Sequence, residues 1–110
     1  MSLSEFQVLT RIERLSVTRL RTWIDTGCVR PGADPAGGRY TEADVARLRL
    51  LCELADDLAI GEEALPVVVS LIDQLHGLRR QLRCMAEAVE RQPSAVREDI
   101  ARHLRALADG

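Results

Sequence analysis

Three cysteines and two histidines are the residues of this 110-residue chain best suited by type to act as nucleophiles, bases or metal ligands. Cys28, Cys52 and Cys84 are odd in number, far apart and without a CxxC spacing, and neither His76 nor His103 has a matching His four positions on or a Cys nearby. That pattern argues against a disulfide framework and against a zinc site, so the thiols read as buried or incidental and the histidines as ordinary surface or interfacial residues. The glycines of PGADPAGG fit no phosphate-loop spacing and read as turn formers. Neither a nucleophile with its base nor a pair of catalytic carboxylates is legible. The sequence therefore reads as a binding protein rather than an enzyme, with no metal or cofactor called for.

What remains is charge. All 15 basic residues are Arg, which reads first as the codon habit of a GC-rich genome and second as a preference for forked contacts. Residues 1–49 carry 8 Arg against 6 acids and residues 50–110 carry 7 against 11, a net of +2 followed by a net of −4. In the basic half, Thr18, Arg19, Arg21 and Thr22 fall on the outer side of an expected helix, where donors would meet base edges, and Arg30 and Arg39 flank a loop, well placed for phosphates. Against a DNA reading stand Asp25 and Asp34 nearby, the overall charge of −2 and a pI of 5.7, where DNA-binding domains usually exceed about 9. A solvated Arg-bearing face is the competing account. In the acidic half, Glu53, Asp56, Asp57, Glu62, Glu63 and Asp73 crowd one junction, with Leu58 or Ile60 as apolar anchor. That set suits a basic protein partner, or simply solvates the surface.

The elements that must position these groups are helical. Hydrophobic residues make up 46% but aromatics only 3%, so the interior is built from Leu, Val, Ile and Ala. Ser4 caps a helix running to about Glu13, with Phe6, Leu9 and Ile12 on one face. Ser16 caps a second whose Leu20, Trp23 and Ile24 point inward, and Gly27 is its left-handed stop. The pair makes a helix-turn-helix. RPGADPAGGRY, residues 30–40, cannot continue a helix and takes the place of a wing. Thr41 with Asp44 forms a capping box for a third helix to about Leu58, with Val45, Leu48, Leu51, Cys52 and Leu58 as its stripe.

Gly61 breaks the pattern, and Glu62, Glu63 and Pro66 suit a new helix start. Val68, Leu71, Leu75, Leu78, Leu82, Met85 and Val89 then recur at spacings of 3, 4, 3, 4, 3 and 4, an a/d seam that asks for a partner helix. It is met either by the chain's own head or by a second copy, and a helix of nearly 30 residues, about 45 Å long, outruns a head of this size. A homodimer is the expectation. Pro93 ends the helix and Ser94 caps a last one, with Val96, Ile100, Leu104 and Leu107, expected to fold back over the seam. The expected class is mainly α, with a head over residues 1–58 and a long helix plus a C-terminal helix over 59–110. No apolar run reaches the roughly 20 residues of a membrane span and no signal-peptide pattern opens the chain, so a cytoplasmic protein is expected.

The segments LSVTRLRTWIDTGCVRP and GRYTEADVARLRLL resemble the head of MerR-like winged helix-turn-helix proteins. The following LADDLAIGEEALPVVVSLIDQLHGLRRQL looks like the chaperone-modulator (CbpM) family, in which such a head precedes a long helix. Together the two resemblances span some 80 residues. They imply a protein that binds the J-domain of a DnaJ-like (CbpA-type) co-chaperone and inhibits its stimulation of the Hsp70 chaperone DnaK. The J-domain's working surface, a basic helix followed by a His-Pro-Asp loop, would need acidic groups and an apolar seat. The MerR resemblance alone implies instead a dimeric DNA-binding regulator. Relative to metal-sensing members, no Cys stands at the start of the long helix, since Cys84 falls late in it.

Overall fold

The computed structural model describes residues 2–32 and 39–110. Within them come α1 (Glu5–Arg11), α2 (Val17–Asp25), α3 (Glu42–Cys52), α4 (Leu65–Glu90) and α5 (Ser94–Asp109), with a π-helical turn, Glu53–Asp57, continuing α3. The mainly α class is as expected. Leu3 and Tyr40 form an isolated antiparallel bridge, the Leu3 N–H donating to the Tyr40 carbonyl at 2.6 Å and the Tyr40 N–H to the Leu3 carbonyl at 3.0 Å. Most of the expected wing, residues 33–38 with Asp34, lies outside the described residues. Its base is closed by the Gly32 N–H donating to the Arg39 carbonyl at 2.8 Å.

Caps fix where the helices begin. The Ser4 and Gln7 side chains exchange bonds with each other's backbone N–H at 3.2 and 2.8 Å, Ser16 accepts from the Arg19 N–H at 3.1 Å, and Thr41 with Asp44 closes a capping box at 3.1 and 2.8 Å. Each satisfies an N–H that the first helical turn leaves unpaired. Gly27 takes φ +81°, the left-handed stop that its lack of Cβ allows.

Three local expectations are corrected. Phe6 is 77% exposed, whereas Ile12 is buried and Leu9 packs against the core as expected, beside the buried Val8; at about 100° per residue Phe6 lies on nearly the opposite side of α1 from Val8, so one turn cannot bury both. Leu58 is 66% exposed rather than part of the α3 stripe, because the chain widens into the π turn and the Leu58 N–H donates five residues back to the Glu53 carbonyl at 3.1 Å. Ser94 is the first residue of α5 and not its cap: the extended Pro93 precedes the helix, and its carbonyl accepts from the Val96 and Arg97 N–H groups at 3.0 Å.

The chain divides into two compact units, Met1–Ile72 and Asp73–Gly110, with the division inside α4. In the first, Val8, Ile12, Leu20, Trp23, Val45, Leu48, Leu51 and Cys52 are buried together with Leu65 and Val69 from the start of α4, and Val68 and Ile72 pack against them. Arg47 Nε donates to the Cys28 carbonyl at 2.5 Å, and Arg11 reaches Glu42 with a fork at 2.7 and 3.1 Å. In the second unit α5 folds back far enough to half-bury Val89 and Ile100. Leu82, Met85, Val89, Ile100 and Leu104 line a groove of about 520 Å³ there. The expected cover over the seam is thus partial, and Leu82 and Met85 stay exposed. No helix among the described residues is long and apolar enough to cross a membrane.

Candidate functional site

The groups expected to form two separate surfaces meet at one place. Arg19 stands on α2, three residues after its Ser16 cap, and the π turn Glu53–Asp57 carries Asp56 and Asp57 towards it. Arg19 forks onto Asp56, Nη2 to Oδ1 at 2.5 Å and Nη1 to Oδ2 at 3.0 Å. Nη1 also donates to the Arg14 carbonyl at 3.1 Å. The guanidinium lies 5.2 Å from the ring centroid of the buried Trp23, a cation–π distance. Trp23 Nε1 in turn donates to Glu62 Oε2 at 3.3 Å. Arg14 holds Asp57 at 2.9 Å and stands 3.7 Å from Asp56.

These contacts set the local electrostatics. The bond from Arg19, chiefly, holds the Asp56 carboxyl below its ordinary range, and the same bond raises the Arg19 guanidinium. The bond to Asp57 raises Arg14. Burial pushes the neighbouring Cys52 thiol up, against the pull of Arg19 and Arg14. A buried thiol kept protonated is a poor nucleophile. Just beyond the turn, Ala59 adopts φ +54°, a left-handed conformation that costs a residue with a Cβ about 1–2 kcal/mol.

Of the set expected to face DNA, then, Arg19 is turned from solvent onto Asp56, its side chain 23% exposed. Thr18 is exposed, and the half-buried Thr22 donates its hydroxyl back to the Thr18 carbonyl at 3.0 Å. Arg21 and Arg39 are both exposed and share a cleft of about 390 Å³ with Glu5, Ile24, Pro31 and Tyr40, and Glu5 reaches Arg21 at 3.7 Å. Arg30 is exposed.

Of the acidic set, Asp56, Asp57 and Glu62 belong to the cluster around Arg14, Arg19 and Trp23, while Glu53 and Glu63 are exposed. Leu58 is exposed beside them in sequence, and Ile60 packs against the core, its N–H donating to the Leu54 carbonyl at 2.9 Å. Asp73 is exposed and opens the second unit. Along the seam, Val68 packs on the head core and Val89 is half-buried, while Leu71, Leu75, Leu78, Leu82 and Met85 are each about half exposed or more, from 48% at Leu75 to 65% at Leu82.

Sequence reasoning missed Arg14 and the indole of Trp23 as members of this cluster. Trp23 had a signal: a buried indole N–H needs an acceptor, and Glu62 is an acid on the same junction. Arg14 had none, because its register with Asp57 depends on the π turn. Among the described residues no group of His, Cys, Asp and Glu is placed to hold a metal ion.

The family model for MerR HTH family regulatory proteins matches residues 1–58, more than half of the chain. No curated protein and no solved structure matches it. The matched stretch is the capped pair α1 and α2, the bridge at Tyr40, and α3 with its π turn. By its head, this chain belongs to the MerR HTH family, whose members are regulatory proteins.

Proposed function

We propose that the chain is a modulator that binds the J-domain of a DnaJ-like (CbpA-type) co-chaperone and inhibits its stimulation of DnaK by occluding it. The observation that carries this reading is the junction after α3. There the exposed Glu53, Glu63 and Leu58 lie within seven residues of Asp56 and Asp57 in sequence, offering carboxylates and an apolar edge to a basic helix, while Arg19 of α2 is engaged within the chain. The resemblance of residues 54–82 to chaperone modulators supports the same partner. A second copy covers the exposed seam in this proposal, making the working form a homodimer.

Calorimetric titration with the J-domain of a co-chaperone, at low and raised salt, tests it. Binding weakens as salt rises, because complementary surface charge is screened. Asp57→Arg combined with Glu63→Arg weakens it at least tenfold; an unchanged Kd would place the J-domain elsewhere. A DNA-binding regulator is the second reading, favoured by the family match and by the exposed Arg21 and Arg39 around one cleft. A sequence-selective complex in a shift assay at low salt, lost in Arg21→Ala with Arg39→Ala, would establish it.

A further inference from the structure

We infer that Asp56 is an internal antagonist of nucleic-acid binding by the head: it occupies the recognition-helix guanidinium of Arg19 that a phosphate would otherwise take. The inference concerns the helix-turn-helix surface and stands or falls apart from the J-domain reading.

Carboxylates and phosphates compete for the same fork of a guanidinium, since both offer two oxygens at matching separation. Asp56 fills that fork at 2.5 and 3.0 Å. The remaining capacity of Nη1 goes to the Arg14 carbonyl at 3.1 Å, and the ring of Trp23 supports the face of the group at 5.2 Å. Arg19 is therefore held at four points, all from within the head, and its direction is set by the π turn rather than by α2. Arg14, the other arginine near this end of α2, is committed to Asp57 in the same way at 2.9 Å. By contrast Arg21 has, among the described residues, only a distant carboxylate, Glu5 at 3.7 Å, and its side chain is 67% exposed. The clasp thus selects one arginine of the expected DNA-facing set and leaves its neighbour on the same helix available.

Partly exposed ion pairs of this kind are weak and screened by salt, so the clasp attenuates binding and does not abolish it. Releasing Arg19 restores one phosphate contact. Two readouts follow: affinity rises, and the slope of log K against log salt steepens by about 0.9, the counterion equivalent of one duplex phosphate.

The experiment is fluorescence anisotropy of a 30-base-pair mixed-sequence duplex with the full chain, its Asp56→Asn variant and its Glu53→Gln variant, over a salt series. Glu53 lies on the same π turn, is exposed and has no cation partner among the described residues. Its substitution changes the net charge equally without freeing an arginine. Asp56→Asn is expected to bind about three- to fivefold more tightly than Glu53→Gln at low salt, with the steeper slope. Adding Arg19→Met, which keeps an unbranched apolar stem over Trp23, is expected to cancel the gain. Equal affinity and slope for Asp56→Asn and Glu53→Gln would overturn the inference, as would a gain that survives Arg19→Met. The Asp56 side chain is one-third exposed, and circular dichroism is the check that each variant keeps its helices. Should the unaltered chain fail to bind the J-domain while Asp56→Asn shows the gain on the duplex, the modulator reading falls and the antagonism stands.

Discussion

Protonation of Asp56 removes the charge that holds Arg19. Because the bond from Arg19, with Arg14 close by, keeps the folded-state pKa below the ordinary carboxylate value, the unfolded chain takes up its proton first as acid is added. The stabilisation is therefore complete at neutral pH, above the unfolded value near 3.9, and is lost as pH falls through the folded value. The melting temperature of the unaltered chain is expected to exceed that of Asp56→Asn at pH 7 and to converge on it below about pH 4; a gap that stays constant across that range would mean that it does not arise from the charged carboxylate, and no gap at pH 7 that the bond contributes nothing. At this scale the sequence was informative about type and poor about direction. Leu20 and Trp23 were expected inside and are fully buried, since their spacing on α2 leaves one face. Arg19 was expected outside, because nothing in TRLRTW tells a solvated guanidinium from one that reaches a carboxylate 37 residues later. Phe6 failed for a related reason: a seven-residue helix offers more than one apolar face, Phe6 on one and Val8 nearly opposite, and only packing decides between them.

Elements were more legible because their signals are local. Ser4, Ser16 and Thr41 announced three helix starts, and Gly27 and Pro93 two ends, since capping and left-handed geometry depend on neighbours within four residues. The π turn was invisible, as ELADD suits an ordinary helix equally well. The seam on α4 makes a prediction at this scale. Five of its side chains, Leu71, Leu75, Leu78, Leu82 and Met85, remain largely exposed in the single chain, and knobs of this spacing pair with another helix. In the proposed dimer, Leu75→Arg with Leu78→Arg places two charges in the middle of the packed stripe, so sedimentation is expected to report a monomer. A dimer of unchanged affinity would show that another surface pairs the chains.

At the scale of the molecule, the family match and the head expected from sequence both end at 58, while the first compact unit runs to Ile72. The difference is physical: Leu65 and Val69 are buried in the head core, so the first turns of α4 complete it, and no pattern within the first 58 residues shows that a core is short of two side chains. Burying them is worth about 3–6 kcal/mol together, a large fraction of the stability of a domain this small. A fragment of residues 1–72 is expected to melt cooperatively by circular dichroism, and one of residues 1–58 to be largely unfolded at 25 °C. Equal melting of the two would mean that the start of α4 only rests on the head.

The π turn has a genetic consequence as well. A turn that closes over five residues instead of four holds one residue more than the helix it interrupts. Deleting the single codon for Ala55 would remove that extra residue and re-space Asp56 and Asp57 against Arg19 and Arg14. The alignment of these carboxylates with α2 thus depends on one in-frame triplet, which can be gained or lost without altering any residue that takes part in the bonds.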